Sequence, residues 1–150
     1  MSEQKAKPVG EDELGRRAVE LVRSSARFTR TVGRVPGVVY SSVAWRVLAD
    51  LELQGPTRVS DLAQQQRVAQ PTMTSLVHRL EAETWVERQP DPSDGRAALV
   101  ALTPVGTVAL EGYRRAAAER IVPLLAQLSE EDQAILDRAS VLMQRLSDLD

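Results

Sequence analysis

The sequence predicts a mainly α-helical fold carrying one small β-hairpin, an α+β arrangement, on three observations. Apolar residues recur at intervals of three and four along most of the chain. The apolar content is aliphatic, with only 3% aromatic residues. A single turn-rich stretch, Pro90-Asp91-Pro92-Ser93-Asp94-Gly95, is flanked by short runs that lack helical spacing. With 150 residues, 43% of them hydrophobic, the chain is long enough to build a core.

Residues 1 to 10 are polar, include Pro8 and Gly10, and read as a disordered arm. A first helix starts at Glu11 with three acids and carries the stripe Leu14, Ala18, Leu21, Phe28 and Val32. Arg27, Arg30 and Arg34 crowd its end, and Pro36-Gly37 breaks it. Ser41 or Ser42 caps a second helix with Val43, Val47, Leu48 and Leu51 inward, ending near Gly55-Pro56. A short third helix is capped by Ser60 and buries Leu62 and Ala63.

The fourth helix, from about Gln70 to Glu83, places Met73, Leu76, Val77 and Leu80 on one buried face. Its opposite face is Gln70, Thr74, Ser75 and His78, flanked by Pro71, Thr72 and Arg79. Trp85, Val86 and Arg88 then lead into the turn, and Ala98 to Leu102 return from it, which makes the hairpin. Thr103 caps a fifth helix with Pro104 at its first position. That helix runs through Tyr113 towards Leu128, and Pro123 is expected to kink or interrupt it. Ser129 followed by three acids opens a last helix bearing Ile135, Ala139, Leu142, Leu146 and Leu149.

Composition removes several function classes. Cysteine is absent and His78 is the only histidine, so disulfides, thiol switches and zinc sites built on Cys or several His are excluded. No Gly-rich phosphate cradle and no nucleophile with a base partner is present, and the chain does not read as an enzyme. No cofactor is expected. No run approaches the ~20 apolar residues of a membrane span, and the polar start lacks a signal-peptide core, so a cytoplasmic protein is expected. The net charge of −2 is unhelpful for phosphate binding, and no third of the chain is strongly basic; any affinity for nucleic acid must come from where particular cations sit.

Helix, turn, helix, then hairpin is the order of a winged helix-turn-helix, whose second helix enters the DNA major groove. The span Val59-Ser60-Asp61-Leu62-Ala63 through Pro71-Thr72-Met73-Thr74-Ser75-Leu76-Val77-His78-Arg79-Leu80-Glu81 resembles the helix pair of the MarR family of transcriptional regulators. Asp91-Pro92-Ser93-Asp94-Gly95-Arg96 followed by Leu102-Thr103-Pro104-Val105-Gly106 is similar to that family's wing and to the start of its fifth helix. Two positions depart from the pattern: Thr84 stands where Gly is usual, and Gly95 where a second Arg is usual. Thr is poorly suited to a left-handed helix end, so a different turn is expected there.

Side-chain chemistry then suggests roles. Gln70 suits a bidentate contact to adenine, Thr72 and Thr74 suit thymine methyls or phosphate, and Ser75, His78 and Arg79 suit base edges or phosphate, with Pro71 beside them. Arg58 and Arg88 are candidate phosphate contacts. The resemblance implies that Asp94 holds Arg96 for entry into a narrow minor groove.

The resemblance also implies an obligate homodimer. Residues 11–35 and 107–150 form the dimerisation region, residues 36–106 the DNA-binding region, and the partner is a pseudo-palindromic duplex. It further implies a regulator, expected to be a repressor though the sequence leaves activation open, that a small aromatic or phenolic ligand releases from DNA. Trp45 and Tyr113, with Arg16 or Arg27 meeting an anion, are the ligand-binding candidates, although Trp45 and Tyr113 read more readily as ordinary core aromatics. The rival reading is a winged-helix module that binds protein and not DNA, because fold does not fix function.

Overall fold

The computed structural model describes residues 10–33, 35 and 39–149, with Arg96 described by its backbone alone. The proposed arm, the Pro36-Gly37 break and Arg34 lie outside these residues, apart from Gly10. The chain divides into two units, residues 1–34 and 35–150.

The first unit is α1 (Glu11–Val32), opened by Glu11, Asp12 and Glu13 and ending with Arg30 in its last turn, both favourable to the helix dipole. It buries no residue; Leu14, Leu21 and Phe28 of the sequence stripe are each about half exposed.

The second unit holds α2 (Ser42–Gln54), β1 (Thr57–Arg58), α3 (Val59–Gln65), α4 (Gln70–Ala82), β2 (Val86–Asp91), β3 (Asp94–Leu102), α5 (Pro104–Leu125) and α6 (Glu130–Ser147). The core gathers Val47, Leu48 and Leu51 of α2, Leu62 of α3, Met73, Val77 and Leu80 of α4, Val86 and Val100 of the sheet and Leu110 of α5. These are the inward stripes of the sequence, except that Leu76 and Val43 pack only partly buried at its edge. No described helix is long and apolar enough to cross a membrane.

The sheet is antiparallel in the order β1-β3-β2. Its regular ladder pairs Val86 with Leu102 through Pro90 with Ala98, as the hairpin reading required. Beyond Pro90 the register breaks and Asp91 pairs with Asp94 around the two-residue turn Pro92-Ser93, so residues 95–97 have no counterpart on β2. The third strand, β1, was not expected. Thr57 and Arg58 pair with Val100 and Leu99, and the chain passes from this strand straight into α3. For that reason Arg58, not Ser60, occupies the α3 N-cap position, and the Ser60 hydroxyl turns to Asp61.

Other boundaries follow the sequence. Gly55 ends α2 at φ +82°, a conformation that favours glycine. Ser41 is the α2 N-cap residue, although its side chain makes no capping bond. The Thr103 and Ser129 hydroxyls accept the Gly106 and Asp132 amides at the starts of α5 and α6. Helix α5 continues past Pro123 and closes two residues later at Leu125, short of Leu128. Helix α6 buries no residue, and Ile135 and Leu146 are more than half exposed.

The turn after α4 keeps its left-handed form despite Thr84, which sits at φ +60°. The Trp85 amide donates to the Leu80 carbonyl at 3.0 Å and the Thr84 amide to Glu81 at 2.9 Å, the paired bonds that close a helix with a left-handed residue. The sequence expectation of a different turn is corrected: these bonds, and the Thr103 hydroxyl donating to the Thr84 carbonyl at 2.6 Å, hold a β-branched residue where it is strained. Thr84→Gly is therefore expected to stabilise the protein by about 0.5–1 kcal/mol, the left-handed cost offset by glycine's greater unfolded-state entropy. Thermal denaturation checks this, with a rise of roughly 1–4 °C.

Candidate nucleic-acid interface

Helix α4 has one apolar and one polar side because its residues alternate at helical spacing. Met73, Val77 and Leu80 are fully buried, while Gln70, Pro71, Thr72, Ser75, His78 and Arg79 are exposed. Thr74 is half-buried, and its hydroxyl donates to the Gln70 carbonyl at 2.9 Å. Pro71 in the first turn costs nothing, since its missing N–H would have no partner within the helix. Pro71, Ser75 and His78 form the crest of the exposed face.

On the wing side of this crest, an open groove is lined by Gln70 and Thr74 of α4, Arg58 of β1, Ser60 of α3, and Arg88 and Ala98 of the hairpin. Both groove arginines are held by acids. Arg88 donates from Nε to Glu81 at 3.0 Å, and Glu81 also lies 3.3 Å from His78 Nδ1. Arg58 donates from Nε and Nη2 to one oxygen of Asp91, at 2.8 and 2.5 Å. Each arginine keeps over a third of its side chain exposed, so both remain accessible cations in the groove.

Asp91 is the wing's fastening point. Its second oxygen accepts the Ser93 amide at 2.8 Å and the Ser93 hydroxyl at 2.6 Å, closing the Pro92-Ser93 turn. The residue is 6% exposed because Ser93 and Arg58 wrap it at the thin end of the hairpin, not because it lies deep in the core. Those Ser93 bonds, followed by the Arg58 guanidinium, lower its pKa from 3.8 to about 2.

As pH falls, the unfolded chain therefore takes up this proton before the folded one does. The stabilisation is complete above about pH 4 and is lost between about 4 and 2. Wild type is expected to melt higher than Asp91→Asn by a constant margin from pH 5 to 7, and the margin should shrink steadily below pH 4. Paired melting curves in matched buffers check it.

The sequence singled out Asp94 as the wing acid. Asp94 is exposed at the first position of β3, and the Arg96 side chain it was expected to hold lies outside the described residues. Asp91 and Glu81 were missed. For Asp91 the signal was present, since Asp-Pro-Ser is a pattern in which an aspartate caps the amide two residues on.

On the other side of the crest, Thr72, Ser75 and Arg79 border a shallow groove with Ser41 and Val43 of the α2 start. The Arg79 guanidinium lies 4.9 Å from the centre of the Tyr40 ring, a cation over an aromatic face.

Of the ligand candidates, Trp45 and Tyr113 come together, with rings stacked 4.4 Å apart and 4° from parallel. Trp45 belongs to the core, and Tyr113, Tyr40 and Trp85 pack partly buried against it. Trp45 is 8% exposed, and its Nε1 has no hydrogen-bond partner among the described residues. Arg16 and Arg27 lie in the first unit, where Arg16 pairs with Glu13 at 2.6 Å and Arg27 is exposed.

Comparison with known proteins places this geometry. The family model described as the MarR family matches residues 41–98, from the α2 N-cap to the return strand of the wing. The chain is 32% identical over 138 residues to an HTH-type transcriptional regulator of Mycobacterium tuberculosis, covering 91% of this chain and 96% of that one. It is 28% identical over 119 residues to the HTH-type transcriptional repressor IacR of Pseudomonas putida, covering 79% and 71%. Among solved structures, the transcriptional regulator Tm0710 from Thermotoga maritima superposes with a TM-score of 0.70 at 26% identity, covering 89% of this chain and 96% of that one. The α4 face, the hairpin beside it and these likenesses lead to one conclusion: the chain belongs to the MarR family and is a winged-helix, DNA-binding transcriptional regulator, not an enzyme.

Proposed function

We propose that the protein acts in the cytoplasm as a homodimeric repressor that binds a pseudo-palindromic duplex, with α4 in the major groove and the hairpin wing over the minor groove. The observation that carries this reading is the exposed face of α4, where Gln70, Thr72, Ser75, His78 and Arg79 offer hydrogen-bonding side chains beside a groove holding two arginines. In this reading Gln70 contacts adenine, Thr72 and Thr74 meet thymine methyls or phosphate, and Ser75 and His78 face base edges. Arg58, Arg88 and Arg79 take phosphates, Pro71 lies against the groove wall, and Arg96, supported by Asp94, enters the minor groove.

Dimerisation through residues 11–35 and 107–150, leaving 36–106 to bind DNA, is supported by α1 and α6. Neither buries a residue in the single chain, and both carry aliphatic stripes too extensive to leave in water. The name of the Pseudomonas relative supports repression.

Release by a small aromatic or phenolic anion is part of the same reading; the Trp45 Nε1, without a partner among the described residues, is buried and becomes a donor to a carboxylate or phenolate oxygen only once its neighbours move. Because Trp45 and Tyr113 stack directly, such a ligand meets the edge of the pair and does not enter between the rings.

Fluorescence anisotropy with random-sequence duplex tests the DNA reading. Affinity is expected to fall with salt along a log–log slope steeper than about −3, for four or more phosphate contacts. Arg96→Ala should flatten the slope by about two, one for each subunit of the dimer. A slope near zero in wild type removes the reading.

A further inference from the structure

One end of the α4 face is gripped by a residue that lies outside both the helix pair and the wing. Tyr40 immediately precedes the α2 N-cap residue. Its ring centre is 4.8 Å from that of Trp85, tilted by 51°, and 6.4 Å from that of Trp45, nearly perpendicular at 80°. Its hydroxyl donates to Glu83 Oε1 at 2.9 Å. Two indoles against the ring and a hydrogen bond at its tip define one placement.

Glu83 is the C-cap residue of α4, so Tyr40 is fastened to the same helix end that carries Arg79. Arg79 and Glu83 stand four residues apart, the spacing of an intrahelical ion pair. Here Glu83 accepts the tyrosine hydroxyl while the guanidinium lies over the tyrosine face. An exposed arginine ordinarily samples many rotamers; a ring 4.9 Å away restricts this one. Arg79 lies on the α2 flank of α4 with Thr72, off the crest. Base edges line the floor of a major groove and phosphates line its walls, so a flanking cation is placed for a phosphate.

We infer that Tyr40 is a positioning residue for DNA binding, holding the Arg79 guanidinium at the α2 edge of the α4 face, pre-set to meet a backbone phosphate. The inference rests on the reading of α4 as the DNA-contacting helix. Preorganisation of this kind raises affinity because the side chain is ordered before the duplex arrives.

Anisotropy across a salt series with random-sequence duplex tests it on the full chain, using wild type, Arg79→Ala, Tyr40→Leu and the double variant, each with its melting temperature. Arg79→Ala is expected to weaken binding about fivefold and flatten the slope by about two, one for each subunit of the dimer. Tyr40→Leu is expected to do the same, and the double variant to be no worse than Arg79→Ala alone. If Tyr40→Leu does not fold, Tyr40→Phe serves in both backgrounds: its loss of the Glu83 bond should weaken binding only where Arg79 is present.

Losses that add in the double variant overturn the positioning role, as does an unchanged slope in Arg79→Ala. Both failures leave the DNA reading intact if wild type keeps its steep slope. A flat wild-type slope overturns both.

Discussion

Gly106→Ala is expected to lower the stability of the protein by at least about 3 kcal/mol, a fall in melting temperature of roughly 6–12 °C. The substitution looks benign by propensity, since alanine is favoured over glycine within a helix by about 1 kcal/mol. The packing reverses the sign. A Cβ at this position would lie 2.0 Å from the Trp85 carbonyl oxygen, 2.9 Å from its carbon and 2.8 Å from Leu102 Cδ1.

That carbonyl cannot retreat without loss, because it accepts the Thr103 amide at 3.0 Å; it also lies 3.2 Å from the Thr103 hydroxyl, whose proton goes to the Thr84 carbonyl. The same hydroxyl accepts the Gly106 amide. Gly106 is therefore where α5 crosses the turn joining α4 to the wing, and displacing it disturbs the reading helix and the hairpin together. A melting curve within 1 °C of wild type contradicts this packing.

Ser75→Glu is expected to abolish duplex binding, with a loss of at least about a hundredfold, while leaving the fold unchanged. Ser75 is exposed at the crest of α4, and glutamate is a better helix former than serine. Melting should shift by no more than a degree or two. Against a duplex, the new carboxylate is brought up to phosphates and acceptor-rich base edges, and like-charge contacts of this kind cost several kcal/mol. Equal anisotropy titrations for the variant and wild type show that α4 is not the contacting helix.

The sequence carried those parts of the molecule whose cause is local. The α4 face was legible because Met73, Val77 and Leu80 repeat at helical spacing, and the cap at Thr103 because a hydroxyl followed by proline has few other uses. Parts caused by distant pairing were not. Strand β1 is two residues long and exists because β3 offers it an edge some forty positions away, which leaves no period to detect. That strand also set the start of α3 at Val59, displacing the cap expected at Ser60.

Arg58 and Arg88 were recognised as cations, but their acids were not, because Asp91 and Glu81 reach them across separate elements. Tyr40 is a single aromatic outside every periodic stripe, and its partners Arg79, Glu83 and Trp85 meet it only after folding. Thr84 was legible as a departure; the bonds that hold it left-handed were not.

Selection of bound sequences from a random duplex library most directly tests whether the α4 face reads DNA. Wild type is expected to enrich a pseudo-palindrome with half-sites about 10 base pairs apart, one helical turn. A variant with Gln70, Thr74 and Ser75 all replaced by alanine is expected to melt like wild type and enrich nothing. Enrichment of the same palindrome by that variant, or of no sequence by wild type, contradicts the account.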